Sequence, residues 1–551
     1  MKPAGFDWRL PALLALALAV RVAALLAFPS INHPDEIFQL FEPAHRLAFG
    51  YGVKTWEFQD GIRSMVPPYV LAALFAVSEP VFGGPEGYLR FTGIVLAAIS
   101  CLPVLFIWRM GERESRAHAL VAGVAAATWF ELVYFSFRPL TEALACDAIL
   151  IALALASSLP PLDGEGGPTA GRDGWGGGST PSDPASQGHL PHRGAGSGES
   201  RVLFGLGLAL ALTVMLRLQL APGAAFVALW VGRARIRSRW APMILGATPV
   251  LVLFGAVDWL TWGAPFASYV RAVSVNLGQN KASVYGASPW WWYLVFLFAL
   301  WTPFVAPLLL FCIVRLRKSA VWIGFAVIEI AVHSLIGHKE YRFVFPAFAA
   351  LVIPAALGAT DLVERYGSRW ATPAWRGAAL AGCWAAMSLT LGDATKFRPV
   401  WEREHTAVTS EMWLAKQPGL CGVLFYDRMW LLTGGYAYLH RDVPIYDPVY
   451  HVLLDRHDQM VWPQNLEQRR AAARRAWPAY NYVLVDPASA HLFTPGYRVA
   501  SCFATGAIDV QCLMVRPGPC RLDPSFPPLL SHTRLGEPQP IARAAEADAV
   551  P

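Results

Sequence analysis

The chain predicts a polytopic α-helical membrane protein of about eleven transmembrane helices with a small C-terminal extracytoplasmic α/β domain. Three observations carry this. Its 551 residues are 55% hydrophobic and only 15% charged, whereas soluble domains carry nearer a quarter charged residues. Apolar runs of spanning length recur through residues 1–392, separated by short Arg-rich loops. Beyond 393 the composition turns mixed, with short strand-like runs.

The first apolar run, 10–28, reads as a retained span and not a signal peptide. Arg21 interrupts it and no small-residue cleavage site follows. Arg21 itself is expected to snorkel or find a partner. Further spans are expected near 88–108, 117–136, 139–158, 202–218, 219–232, 241–262, 290–314, 319–337, 343–360 and 375–392, with Pro222 marking a tight turn. The run 67–83 is apolar but interrupted by Pro67, Pro68, Pro80 and Gly83-Gly84; it reads as an interfacial or re-entrant helix.

Orientation follows the basic loops. Lys2 and Arg9, Arg109 to Arg116, Arg233 to Arg239, Arg315 to Lys318, and Arg365 with Arg369 all fall on one face if 67–83 does not cross. That face is read as cytoplasmic. The opposite face then receives 29–87, 263–289, 338–342 and everything after 393. Residues 160–200, rich in Gly, Pro and Ser, read as a flexible cytoplasmic linker. The runs 423–426 and 482–485 read as buried strands and 466–477 as a basic helix, within an α/β domain at 393–520. The Pro/Ala-rich stretch 521–551 is expected to be disordered.

The 22 Trp, 30 Phe and 17 Tyr suit aromatic belts at two bilayer surfaces. A net charge of +6 is accounted for by the Arg-rich loops, so the bilayer and not nucleic acid is the expected partner. Cys101, Cys146, Cys312 and Cys383 lie in apolar runs and read as small buried hydrophobes. Cys421, Cys502, Cys512 and Cys520 lack zinc spacing. On the extracytoplasmic side they would form one or two disulfides, with pairing open.

Two strings concentrate charge beside apolar segments, where charge is costly. The first, His33-Pro34-Asp35-Glu36, opens a loop that also holds Gln39, Glu42, His45, Trp56, Glu57 and Arg63. An acidic helix start, stabilised by the macrodipole, would account for Asp35-Glu36 alone. Glu36, Gln39 and Pro43 share a helical face beside the membrane, however, and a carboxylate there can take a proton from a sugar hydroxyl. His33, Asp35 and His45 are the competing metal-ligand set. The second string, His338-Lys339-Glu340-Tyr341-Arg342, could bind a phosphate or diphosphate. Headgroup anchoring also explains its cations, but not Glu340 between them. The loop 258–293 adds Asn276, Asn280, Tyr285 and the run Trp290 to Tyr293, suited to sugar faces or to an interfacial belt. No Asp-x-Asp pair, phosphate loop or Gly-x-Ser-x-Gly elbow occurs. A lipid-linked donor therefore fits better than a cytoplasmic nucleotide sugar.

At these residues the chain resembles glycosyltransferase family 22, the lipid-linked-oligosaccharide and GPI-anchor mannosyltransferases of the GT-C superfamily. The likeness rests on 33–39, 42–45, Phe49-Gly50, Gly52, 55–57, 62–64, Arg138-Pro-Leu-Thr-Glu142, Tyr285-Gly286 and 338–346. The tail motifs 425–428, 434–436 and 439–441 look most similar to the GPI branch. The resemblance implies a GT-C fold and metal-independent, cofactor-free, inverting transfer of mannose from a polyprenyl-phosphate donor. It implies Asp35 as catalytic base and Glu36 as its support. His338, Lys339 and Arg342, with Arg63, would hold the donor phosphate. Trp56, Glu57 and Tyr285 would shape the acceptor or sugar cleft. The Gly-rich insert and the Ala/Arg/Gly-rich composition suggest a bacterial homologue, with an undecaprenyl-type carrier and an envelope glycan or glycolipid as acceptor. The alternatives are a GT-C transferase of another sugar and a transporter or flippase for lipid-linked sugars. A transporter would use in-span charges such as Glu131, Asp147, Arg217 and Glu329.

Overall fold

A computed structural model describes residues 8–159, 197–278, 286–367, 372–394, 397–428, 432–447, 466–505, 509–522 and 533–534. Five helices are long and apolar enough to cross a membrane: Arg9–Ala27, Gly84–Glu112, Gly198–Leu216, Ile236–Trp262 and Tyr341–Tyr366. A sixth results if Trp292–Trp301 and Val305–Arg315, bent by 107°, count as one span. By that criterion the expected count of eleven is not reached among the described residues. The difference lies in broken and short helices. The run expected at 117–136 splits into Arg116–Thr128 and Phe130–Phe135, because Trp129 leaves the helical region (φ −58°, ψ 125°). The apolar helices Leu218–Gly232 and Ala320–Leu335 are shorter than a full crossing.

Arg21 shows how a broken helix is tolerated. The end of Arg116–Thr128 leaves carbonyls without intrahelical donors. Arg21, buried inside the first helix, donates to Ala127 O at 2.7 Å and Ala126 O at 3.2 Å, and to Ser100 Oγ at 2.8 Å. It is partnered, and its cation sits on the negative end of that helix.

Tyr341–Tyr366 runs through the centre of the bundle, its apolar stretch wholly buried. It packs on Val305–Arg315, Ala320–Leu335, Arg116–Thr128 and Thr141–Ser157. Helices Ser197–Leu216 and Ala241–Trp262 cross at two glycines. A Cβ on Gly207 would meet Met243 O at 1.8 Å and one on Gly246 would meet Phe204 O at 1.9 Å, the close approach that small residues permit in membranes. Val66–Phe82 is one continuous helix, turning at Gly83 and Gly84 (φ +68° and +61°) to pack on Gly84–Ile99.

The linker expected at 160–200 lies outside the described residues up to 196. From Ser197 the chain is already helical. The C-terminal part builds a five-stranded sheet from β2 (Val423–Phe425), β3 (Ile445–Tyr446), β4 (Tyr482–Val485), β5 (Arg498–Thr505) and β6 (Asp509–Val515). The order is β3-β2-β4-β6-β5. β2 runs parallel to β3 and β4, and β6 antiparallel to β4 and β5. Leu466–Arg475 is helical, as its basic run suggests. β1 (Tyr51–Gly52) pairs antiparallel with β7 (Thr533–Arg534), so this short piece of the tail is paired to the first loop. The rest of the tail beyond 522 is outside the described residues.

The sheet is not a detached unit. One apolar cluster joins Ile37, Phe38 and Phe41 of the first loop to Val423, Tyr436 and Leu484. Disulfides Cys421–Cys520 and Cys502–Cys512 supply the pairing that spacing leaves open. Of the remaining cysteines, Cys101, Cys146 and Cys312 are buried but Cys383 is exposed.

Replacing Arg21 with Leu leaves the Ala126 and Ala127 carbonyls unpaired. The expected cost is about 2 kcal/mol per carbonyl, read as a lower Tm of the detergent-solubilised protein.

Candidate active site

The two charged strings meet. The first enters as a helical turn after Asn32, the Glu36 amide donating to His33 O at 3.0 Å. It continues as a π-helix, Glu36–Phe41, a wide turn that recurs at functional sites. Successive helical side chains point about 100° apart, which separates the two neighbouring carboxylates. Glu36 points inward, where Arg138 Nη1 lies 3.3 Å away and the Asn32 amide donates at 2.9 Å. Asp35 faces the second string.

That string bridges helices Ala320–Leu335 and Tyr341–Tyr366 through a bend, with extended residues at its two ends (Ile336 φ −85°, ψ 133°; Glu340 φ −130°, ψ 146°). Arg342, in the first turn of the second helix, gathers three carboxylates. Nη2 lies 2.7 Å from Asp35 Oδ2, Nη1 donates to Glu142 and Nε to Glu340. Glu142 also holds Arg217 at 3.2 Å. His33 Nε2 lies 3.2 Å from Glu340 Oε2, and His338 Nε2 is 2.8 Å from Glu340 Oε1. Lys339 turns its ammonium onto the carbonyls of Ser334 (3.0 Å) and Ile336, at the end of the preceding helix, and stands 5.7 Å from the Tyr293 ring centre.

A second arm reaches Asp35 from the first loop. Gln39 Nε2 donates to Asp35 Oδ2 at 2.7 Å and to Glu57 Oε1 at 3.2 Å. Arg63 clasps the same Glu57 oxygen at 2.6 and 2.9 Å. Asp35, Glu57, His338, Arg342 and Arg63 therefore form one connected network through Gln39 and Glu340, whereas the Lys339 ammonium contacts only helix-end carbonyls and the Tyr293 ring among the described residues. Trp56 instead packs beside the apolar cluster under the loop, and Tyr285 is outside the described residues. His45 does not join His33 and Asp35. Its Nε2 is 3.0 Å from His440 Nδ1 and its Nδ1 3.2 Å from Tyr51 O. A Glu114–His118–Asp361 trio has ligand-like spacing, but Arg315 already pairs with both its carboxylates.

The field in the site is set by burial against paired charge. Burial alone would raise Asp35, but Arg342 and then His33 hold it well below the usual carboxylate range. Glu340 is likewise depressed, Arg342, His33 and His338 outweighing its burial. Burial and Arg342 work against a charged His33, yet Asp35 and Glu340 prevail and raise it to about 9. Burial raises Glu36 and Glu57 despite Arg138 and Arg63.

The sequence marked Gln39 as part of a polar face and Glu340 as an acid that anchoring leaves unexplained, but it gave neither a role in the site, nor Arg138, Glu142 or Arg217. Arg217 and Glu142 carried a signal, being ionisable groups at the edges of apolar runs.

A helical membrane protein with a buried polar site in its loops and an appended sheet is what these elements define. The model of the Alg9-like mannosyltransferase family matches residues 12–395, and the chain belongs to that family. It is a multi-pass membrane protein and a glycosyltransferase. GPI mannosyltransferase 3 of Yarrowia lipolytica is 26% identical over 79% of this chain and 76% of its own. Mannosyltransferase APTG1 of Arabidopsis thaliana is 26% identical over 62% of this chain, and GPI alpha-1,2-mannosyltransferase 3 of Mus musculus 23% over 61%. The match spans just over half the length of these two, 56% in each. Among solved structures, ArnT from Cupriavidus metallidurans bound to undecaprenyl phosphate shares the fold, with TM-score 0.55, 12% identity, and coverage of 93% of this chain and 98% of that one.

The His33 charge gives a pH signature. Its folded value lies above its ordinary 6.5, so its contribution to stability is full below about pH 6.5 and is lost as pH rises through about 9. The Tm of the purified protein should fall over that interval, and His33→Ala should flatten the fall. An unchanged slope in the variant would contradict the assignment.

Proposed function

We propose that the protein transfers mannose, with inversion and without a metal, from a polyprenyl-phosphate-linked donor to a hydroxyl of an envelope glycan or glycolipid on the extracytoplasmic side. The observation that carries this reading is the 2.7 Å approach of Asp35 to Arg342, which joins a partly open carboxylate to the cationic string. The acceptor oxygen attacks the anomeric carbon and its proton passes to Asp35. The bond from that carbon to the phosphate oxygen breaks, and its electron pair leaves on the phosphate. Lys339, His338, Arg342 and Arg63 stabilise the charge that develops there, the task a metal otherwise performs. Glu36 anchors the loop that presents Asp35. Glu57 borders the acceptor side.

The same reading proposes eleven crossings, counting short and broken helices, with the Arg-rich loops in the cytoplasm. The site and the 393–520 domain then share the outer face, which suits two disulfides because such bonds persist in oxidising compartments. The carrier is of undecaprenyl type. The family match supports mannose as the sugar.

Purified protein given radiolabelled polyprenyl-phosphate mannose and an envelope glycolipid extract should transfer label. Asp35→Asn should slow transfer by about 10³-fold, and chelators should leave the rate unchanged. Undiminished transfer by the variant removes the base. Efficient direct use of GDP-mannose removes the lipid donor.

A further inference from the structure

The two oxygens of Asp35 are not equivalent. Oδ2 receives both close contacts, Arg342 Nη2 at 2.7 Å and Gln39 Nε2 at 2.7 Å. Oδ1 has, among the described residues, only His33 Nδ1 at 3.5 Å, too long for a strong hydrogen bond. The Asp35 side chain is 19% exposed, and Oδ1 carries its weakest contact.

Gln39 is itself fixed. Its amide nitrogen carries two hydrogens, and the two partners are both carboxylate oxygens, on Asp35 and Glu57. That choice sets the amide orientation, since the flipped group would turn its own oxygen onto two carboxylates. Glu57 is held in turn by Arg63. The four-residue spacing supplies the remaining constraint, placing buried Gln39 one helical turn from Asp35. The chain Arg63–Glu57–Gln39–Asp35–Arg342 then spans both walls of the site.

We infer that Gln39 is a positioning residue: with Arg342 it pins Oδ2 of Asp35 and leaves Oδ1 as the oxygen that accepts the acceptor's proton. The inference rests on the proposed role of Asp35 as base. It also gives Arg342 a task on the carboxylate besides any on phosphate. The charged groups around Asp35 are His33 on its own loop, Glu57 and Arg63 across the loop, Glu340 and Arg342 on the second string, and Glu142 with Arg217 from the bundle. All remain when Gln39 is changed. Removing one donor from Oδ2 therefore has a predictable sign: the carboxylate becomes easier to protonate, and it is freer to rotate.

The experiment is the pH profile of kcat for the full-length protein with polyprenyl-phosphate mannose, comparing the parent with Gln39→Leu. The variant should lose kcat by about 10- to 100-fold at neutral pH. Its acid limb should move to higher pH, and its KM for donor should stay within about threefold of the parent. Binding of polyprenyl phosphate alone checks that the variant is folded. Where Gln39→Leu fails that check, Gln39→Asn keeps an amide at shorter reach and should show the same movement of the acid limb. An unmoved limb in the folded variant overturns the inference, as does a loss confined to donor KM. Asp35→Asn separates the two levels: an active Asp35→Asn enzyme sinks the base itself, whereas an inactive one beside an unmoved Gln39 profile sinks only the positioning role.

Discussion

Arg342 offers a planar fork of donors that stays charged at any accessible pH, and three carboxylates from three elements converge on it. Asp35 comes from the first loop, Glu142 from a bundle helix and Glu340 from the linker before Arg342 itself. Burying so many charges is costly unless each is paired, so the loop, the bundle and the linker are constrained to one relative placement. Removing the guanidinium would leave three partly buried anions facing one another. The low proton affinities of Asp35 and Glu340 trace to this one group, while those two acids keep His33 protonated against its pull.

The C-terminal part acts on the site from behind. Glu42, at the end of the π-helix, accepts the amides of Val53 at 2.8 Å and Tyr436 at 3.0 Å. The Gly434–Gly435 turn, at φ +111° and +59°, brings the second amide to it. Burial outweighs these hydrogen bonds and raises Glu42 to about 7. His45, one turn further on, meets His440. The tail thus braces the segment that carries Asp35 through buried polar contacts as well as through the shared apolar cluster.

Much of this was legible in the sequence because charge beside hydrocarbon is rare and needs a partner. The strings at 33–36 and 338–342 could be found for that reason, and Glu340 stood out as an acid among anchoring cations. The Asp35–Gln39 contact has ordinary helical spacing, but the other half of the Gln39 bridge was not legible, because Glu57 arrives from a separate helix 18 residues on. Helix breaks were hidden for a related reason. The apolar run across Thr128–Phe130 continues unbroken, while the donors that allow the break come from Arg21, remote in the chain. Glu131 is similar: its partners Trp129, Trp301 and Tyr341 come from three elements, and periodicity carries no trace of their meeting. Which cysteines pair was likewise set by tertiary placement and not by spacing.

The most direct test of this account is a structure of the protein with a polyprenyl-phosphate sugar bound. The anomeric carbon should face Oδ1 of Asp35 across a gap that admits one hydroxyl, with the phosphate on the side of His338 and Lys339 and with Gln39 still on Oδ2. A donor whose phosphate lies away from the 338–342 string, or whose sugar is walled off from Asp35 by intact helices, would contradict it.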